Sequence, residues 1–238
     1  MPALSFGVLA GAGLVLALAA HAAVAAEPGL IGLLEMPLIY ERLERAGTRG
    51  PQPAPLRIHR EPTETSRVVA TLDHRGIARA GGARCVWEGA PACRYREAEY
   101  EVPALAVFEV RAPAWYRVAV DPAERQFGWI RSAERFHTLD SLVASEERLT
   151  HLTAAWNGRL HEAPGVGPGR LVVPKAKRKA EQPYRALRHT RVGGRLWIEV
   201  ALLDAVCDGG EERVIATGWV SAKTPAGVPV AWFWSRGC

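Results

Sequence analysis

Short runs of apolar residues separated by turn-forming residues dominate the chain. Segments 102–110, 115–120 and 196–203 are rich in Val, Leu, Trp, Tyr and Phe and are bounded by Pro, Gly or Asp. This pattern predicts β-strands. Helical periodicity is weak, and it allows a short helix within residues 31–45 and one or two turns within residues 132–152. Because the chain also holds 17 Pro and 23 Gly, we predict an all-β protein with many short strands.

The first 26 residues contain no Lys, Arg, Asp or Glu, and an apolar run there ends in the small residues Ala22–Ala26. This is the pattern of a cleaved signal peptide, so residues 1–26 are predicted to direct export. An uncleaved membrane anchor is the alternative, because the run just reaches the roughly 18–20 residues that a span requires. With cleavage, no membrane span remains, and the protein is expected to be periplasmic or secreted from a bacterium.

The cysteine content agrees with export. The four cysteines are Cys85, Cys93, Cys207 and Cys238. An even number in an exported chain indicates disulfides, and four cysteines allow three connectivities. Proximity along the chain favours Cys85–Cys93 and Cys207–Cys238. A zinc site would require ligand pairs two to four residues apart, which this spacing lacks, so no metal is expected.

Three short motifs occur twice along the chain in the same order, which indicates a duplicated module. The motif pairs are Arg57–Pro62 with Arg159–Pro164, Trp115–Val120 with Leu196–Ala201, and Gly128–Ala133 with Gly218–Ala222. The repeat divides the chain after the signal peptide into an extension or linker at 27–51, a first module at 52–145 and a second module at 146–238.

The first module resembles a bacterial SH3 (Src-homology-3-like, SH3b) domain. The resemblance lies in the strand and turn Leu56–Pro62, the strand Ser66–Leu72, the central strand Glu99–Glu109, and the motifs Trp115–Val118 and Gly128–Ile130. The second module is similar mainly through the internal repeat. The resemblance implies two small SH3-like β-barrels in tandem that bind a ligand and do not catalyse a reaction.

Charged residues indicate which face of each central strand is the outer one. Alternate side chains of a strand face opposite sides, so Trp115 shares a face with Arg117, and Trp197 shares one with Glu199. These two Trp are therefore predicted to point away from the interior. The same alternation predicts one further outward Trp in each module, namely Trp129 and Trp219.

These outward indoles have two interpretations. They can form a platform for an extended peptide or a sugar ring, with Arg117 beside it. The resemblance supports this interpretation, because Trp115 and Trp197 would match the groove-lining Trp of the SH3 family. Alternatively, long loops or the other barrel cover them, and this second interpretation is favoured for Trp129 and Trp219.

The densest charge run, residues 175–179, is a further candidate site. Its Lys177 and Arg178 suit contact with anionic peptidoglycan stems, lipopolysaccharide phosphate or an acidic protein. A solvated hairpin tip is the alternative. His59 and His161 occupy equivalent positions in the repeat, which favours a structural role over catalysis or metal binding.

The last stretch, residues 230–238, combines three aromatic residues with a terminal Cys. We expect a buried edge strand there, with an exposed aromatic partner site as the alternative. The net charge of +5 is too mild to indicate nucleic-acid binding.

No Gly-x-Ser-x-Gly, His-Glu-x-x-His or phosphate-binding glycine motif is present, so no enzyme activity and no cofactor are expected. The sequence and the resemblance together predict a non-catalytic binding module of the bacterial cell envelope that recognises peptidoglycan or its peptide stems. A periplasmic protein-interaction scaffold is the alternative, and a cell-wall hydrolase is the weaker one.

Overall fold

The computed structural model is built almost entirely of antiparallel strands, which confirms the all-β prediction. It describes residues 29–36, 54–73, 76–80, 82, 84–86, 96–121, 126–206 and 212–236. The predicted signal peptide at 1–26 lies outside these residues. The predicted disulfides also lie outside them, since only the backbone of Cys85 is described and the other three cysteines are not. No helix among the described residues is long and apolar enough to cross a membrane.

The first sheet contains ten strands. They are β1 (Gly32–Glu35), β2 (Leu56–His59), β3 (Val68–Asp73), β4 (Gly76–Arg79), β5 (Arg84–Val86), β6 (Arg96–Glu99), β7 (Val102–Arg111), β8 (Trp115–Asp121), β9 (Gln126–Arg131) and β10 (Phe136–Thr138). Their order is β10-β1-β7-β8-β9-β2-β3-β4-β5, and β6 pairs with β7 off this path. The path has two ends, so the pairings among the described residues do not close this sheet into a barrel.

A short helix, α1 (Leu139–Val143), leads from the first sheet to the second. It agrees with the one or two helical turns predicted within residues 132–152. The remaining strands are β11 (Thr150–Leu152), β12 (Arg159–Leu160), β13 (Arg170–Leu171), β14 (Gln182–Val192), β15 (Arg195–Leu203), β16 (Val214–Ser221) and β17 (Ala231–Phe233). Five of them form a sheet in the order β16-β15-β14-β11-β17, while β12 and β13 pair with each other. This second sheet is also open along its described pairings.

The sequence repeat corresponds to a repeat of strand pairing. Strand β1 lies between β7 and β10, as β11 lies between β14 and β17. His59 pairs with Trp129 where β2 meets β9, and His161 forms an isolated bridge to Trp219. A strand therefore precedes the first repeated motif in both cases, and β1 lies in the segment 27–51 that the sequence predicts to be an extension or linker.

The strand β1 corrects the expectation of a helix within residues 31–45. Residues 32–35 pair with β7 on one side and with β10 on the other, and Leu33 and Leu34 are fully buried. These tertiary contacts override the weak local helical pattern. The rest of the expected helix, from residue 37, lies outside the described residues.

The glycine of each Gly-Trp motif lies where two strands approach closely. A Cβ atom on Gly128 would come within 2.5 Å of the Cγ2 atom of Ile58. One on Gly218 would come within 2.9 Å of the Cβ atom of Leu160, the residue that matches Ile58 in the repeat. The glycine of the motif is therefore explained by packing, because a larger side chain at either position would displace the neighbouring atoms.

Two hydrophobic clusters form the core. The first lies within the first module and includes Ile58, Leu72, Val118 and Ile130. The second cluster spans both modules. It contains Leu30 and Leu33 of the segment 27–51, Ala104 and Ala106 of the first module, and Leu152, Ile198, Val200, Val220 and Phe233 of the second module. The two modules thus share part of their core and pack directly against each other.

Candidate functional site

The four Trp predicted to face outward lie on the face opposite the core. None of them belongs to either hydrophobic cluster, whereas Ile130, Ile198 and Val220 do. All four are nevertheless buried. The exposed fractions are 5 % for Trp115 and Trp129, 6 % for Trp197 and 7 % for Trp219. The predicted orientation is therefore correct, but these indoles are covered.

A histidine covers the central Trp of each module. The ring of His59 meets the indole of Trp115 edge-on, with the centroids 5.5 Å apart and the planes at 89°. His161 meets Trp197 in the same manner, at 5.1 Å and 83°. The burial corrects the expectation of an exposed ligand platform on Trp115 and Trp197, because each imidazole occupies space that a ligand would need.

Both histidines are fixed by their other contacts. The Nδ1 atom of His59 donates to the carbonyl of Ser66 at 3.0 Å, and that of His161 donates to the carbonyl of Val166 at 3.1 Å. A carbonyl oxygen only accepts, so Nδ1 carries the proton in both rings. The matched contacts favour the structural interpretation of these positions over a catalytic or metal-binding one.

Arginine side chains cover the second Trp of each module. The guanidinium of Arg111 lies 4.9 Å from the ring centroid of Trp129, and that of Arg188 lies 5.3 Å from the centroid of Trp219. Both distances are within the range of cation–π attraction. The predicted site residue Arg117 lies 4.6 Å from the ring of Phe127 and is 3.9 Å from a carboxylate oxygen of Glu109.

The basic run 175–179 forms a 3₁₀ turn at Lys175–Lys177 and continues towards β14, so it is not a hairpin tip. Lys177 is exposed. Arg178 donates from Nη1 to the backbone carbonyl of Trp156, which is itself buried. Arg178 is therefore held by this contact and is only partly exposed, whereas Lys177 is exposed.

The C-terminal stretch forms the expected edge strand. Strand β17 lies at one end of the second sheet, pairs with β11, and has three buried residues. Trp234, which follows it, is only partly buried. At Trp234 the C-terminal stretch therefore reaches the protein surface, next to Arg96 and Glu97 of the first module.

A cavity of about 350 Å³ opens at this place, where the two modules meet. Its lining residues are Arg96, Glu97, His151, Glu181, Trp232, Phe233, Trp234 and Ser235. The pairing of β11 with β17 sets His151 directly opposite Trp232. Sequence reasoning singled out the aromatic members but missed Arg96, Glu97, His151 and Glu181, which lie in separate segments and form no local motif.

His151 is the most buried ionisable group of the cavity, with 4 % of its side chain exposed. Its ring lies 4.5 Å from the indole of Trp234, and its Nε2 atom is 3.8 Å from a carboxylate oxygen of Glu181. Its Nδ1 atom has no hydrogen-bond partner among the described residues. Burial lowers the pKa of His151 to about 4, partly opposed by Glu181, so the ring is neutral at pH 7.

The two carboxylates of the cavity are held in place by neighbouring donors. Oε2 of Glu97 accepts from Nε of Arg236 and from Oγ of Ser235, both at 2.8 Å. The hydrogen bond from Arg236 is the largest cause that keeps the pKa of Glu97 below its usual value. Oε2 of Glu181 accepts from the indole nitrogen of Trp234 at 2.7 Å. The site is thus rich in acceptor atoms in defined positions.

A second polar cluster, Glu35, Glu99 and His137, brings three possible metal-ligand atoms within 4.8 Å of one another. His137 hydrogen-bonds to Glu35. Two guanidinium groups already lie on Glu99, that of Arg148 at 3.3 Å and that of Arg135 at 3.5 Å. A bound cation would be repelled by them, so the cluster is best described as an ion-pair network.

Comparison with known proteins adds no assignment: no family model, no curated protein and no solved structure matches the chain. The cavity is therefore interpreted from its own geometry. It combines partly exposed aromatic surface with fixed polar groups, the usual composition of a small-molecule site.

Proposed function

We propose that the protein is an exported, non-catalytic binding module of the bacterial cell envelope that recognises peptidoglycan or its peptide stems. We further propose that each module is an SH3-like unit whose sheet is open along the described pairings. The order of the repeated motifs and the repeat of strand pairing support the tandem arrangement.

The aromatic cavity between the modules is the observation that carries this proposal. Its volume of about 350 Å³ lies at the lower end of the range for ligand sites, so it accommodates one unit of a polymer or a small molecule. Trp234, which is partly exposed, provides a flat apolar wall, and Glu181 and His151 provide polar contacts. Envelope polymers offer sugar rings and short peptides, both of which suit such walls.

Co-sedimentation with purified cell-wall sacculi tests the proposal. The full chain, purified after export, is expected to pellet with sacculi. Trp234→Ala is expected to reduce the bound fraction about tenfold, because it removes the exposed wall of the cavity. Phe136→Ala is a matched control, since Phe136 is a partly buried aromatic of the first module outside the cavity. The proposal fails if the protein stays in solution or if both variants bind equally.

The hydrolase alternative makes a different prediction that the same samples can check. Overnight incubation with sacculi would release soluble muropeptides. Loss of this release in Glu181→Gln would identify Glu181 as an acid or base, whereas no release supports binding without catalysis.

A groove on the first module favours the scaffold alternative. It has a volume of about 800 Å³ and is lined by Arg60, Arg67 and Arg79 beside Phe127 and Val120. Guanidinium groups on one surface suit an acidic protein partner. Crosslinking in the periplasm would capture a specific protein in that case, and Arg67→Glu would abolish the capture.

A further inference from the structure

We infer that the cavity between β6, β11 and β17 holds one neutral sugar ring, with the Nδ1 atom of His151 accepting a hydrogen bond from an N–H or O–H group of that ring. The inference rests on the proposed function and deepens it, because it selects the glycan of the cell wall over its peptide stems.

The hydrogen-bonding state of His151 is the first step. Its Nε2 atom faces the Glu181 carboxylate at 3.8 Å, and an ionised carboxylate cannot donate. This favours the tautomer with the proton on Nε2, which leaves a lone pair on Nδ1. That atom is buried and has no partner among the described residues. Buried polar atoms are normally hydrogen-bonded, so a donor from a ligand is the missing element.

The shape of the cavity is the second step. The indole of Trp234 packs against the His151 ring in a tilted arrangement, with an interplanar angle of 36°, and is partly exposed. Trp232, opposite His151 in the sheet, is only 6 % exposed, so Trp234 offers the accessible indole surface of the cavity. A sugar ring has a face of C–H groups that packs against an indole, while its hydroxyl groups point outward to acceptors. A cavity can offer a packing face and hydrogen-bond acceptors to the same ring only if the acceptors border the aromatic wall. Glu181 and His151 lie at this position.

The charge balance is the third step. Glu97 is paired with Arg236, and the guanidinium of Arg96 lies 6.0 Å from the centroid of the Trp232 ring. A stem peptide with free carboxylates would bring its charge next to Glu97 and Glu181. A ligand with a cationic amine would be repelled by the guanidinium of Arg96. A neutral ligand avoids the cost of burying an unpaired charge.

Isothermal titration calorimetry of the full chain tests the inference with two probes, tri-N-acetylglucosamine and a synthetic stem peptide with free carboxylates. The saccharide is expected to bind, and the peptide is not. His151→Leu is expected to weaken saccharide binding about tenfold, the effect of one lost hydrogen bond. His151→Asn keeps an acceptor close to the Nδ1 position and is expected to weaken binding by no more than about threefold.

Thermal unfolding of each variant establishes that it is folded. If His151→Leu does not fold, Glu181→Gln replaces it, because the side chain keeps its size and loses a carboxylate acceptor. It is also expected to weaken saccharide binding about tenfold.

The outcomes separate the inference from the proposed function. Peptide binding without saccharide binding overturns the sugar assignment and leaves wall recognition standing. Sacculus binding with neither probe bound also overturns the sugar assignment. Absence of binding to sacculi and to both probes overturns the sugar assignment and the proposed function together. Saccharide affinity that is unchanged in His151→Leu overturns the role of His151.

Discussion

The imidazole of His161 meets the indole of Trp197 edge-on, with 5.1 Å between the ring centroids. His59 and Trp115 repeat this contact in the first module. Edge-on contacts of this kind add to the free energy of burial of the rings themselves. Each central Trp is therefore part of the packing of its module.

Trp197→Ala is expected to lower the free energy of unfolding by about 3–5 kcal/mol, because it empties a buried aromatic position. Chemical denaturation measures the loss. Leu171→Ala, at a side chain that is 47 % exposed, is the control and should change stability little. An unchanged denaturation midpoint in Trp197→Ala, with loss of sacculus binding, would restore the ligand-platform interpretation.

Gly128→Ala and Gly218→Ala are each expected to destabilise the protein by about 1–3 kcal/mol, because the added methyl group overlaps a strand that packs against it. Thermal unfolding monitored by circular dichroism measures the effect. Thr217→Ala, at the exposed neighbour of Gly218, should leave the melting temperature nearly unchanged. Equal melting temperatures for the two variants at Gly218 and Thr217 would contradict the packing explanation of the motif.

The low pKa of His151 gives the stability a defined pH dependence. Its folded pKa of about 4 lies below the unfolded value of 6.5, so the unfolded state binds more protons between these two values. The free energy of unfolding is thus highest above pH 6.5 and falls as the pH drops towards 4. For His151 alone, the expected loss between pH 7 and pH 5 is about 2 kcal/mol.

Denaturation of the His151→Leu variant at both pH values checks this expectation. The variant should lack this part of the pH dependence. His189→Asn, at an exposed position, should retain the full profile and serves as the control. Identical pH profiles for wild type and His151→Leu would show that another group carries the dependence.

Tyr184→Phe is expected to lower the free energy of unfolding by about 1–3 kcal/mol. The Tyr184 hydroxyl donates to the carbonyl of Val143 at 2.6 Å, and burial raises the pKa of Tyr184 above its usual value. The change leaves a carbonyl at the end of α1 without its partner. Urea denaturation measures the loss, and Tyr100→Phe, at a residue that is 61 % exposed, should have no effect.

Local sequence patterns predicted the strand content and the side of the sheet that each Trp occupies. Alternation along β8 and β15 reports direction correctly, because neighbouring side chains must face opposite sides. The alternation does not show which residues from other segments cover that side of the sheet. The cover over Trp115 comes from His59, which is distant in sequence. Sequence analysis therefore identified the Trp and favoured a cover over Trp129 and Trp219, but it left open whether Trp115 and Trp197 are covered.

The cavity could not be predicted for a related reason. Glu97 comes from β6, His151 from β11 and Trp234 from the residue after β17. No short motif connects them, and their proximity depends on how the modules pack. The strand β1 was missed because four residues are too few to show a period against a competing helical pattern.

The shared core makes the two repeated modules depend on each other. Ala104 and Ala106 of the first copy lie in the same cluster as Ile198 and Val220 of the second. A copy transplanted alone into another protein would expose this apolar surface, so each copy depends on the other for part of its burial.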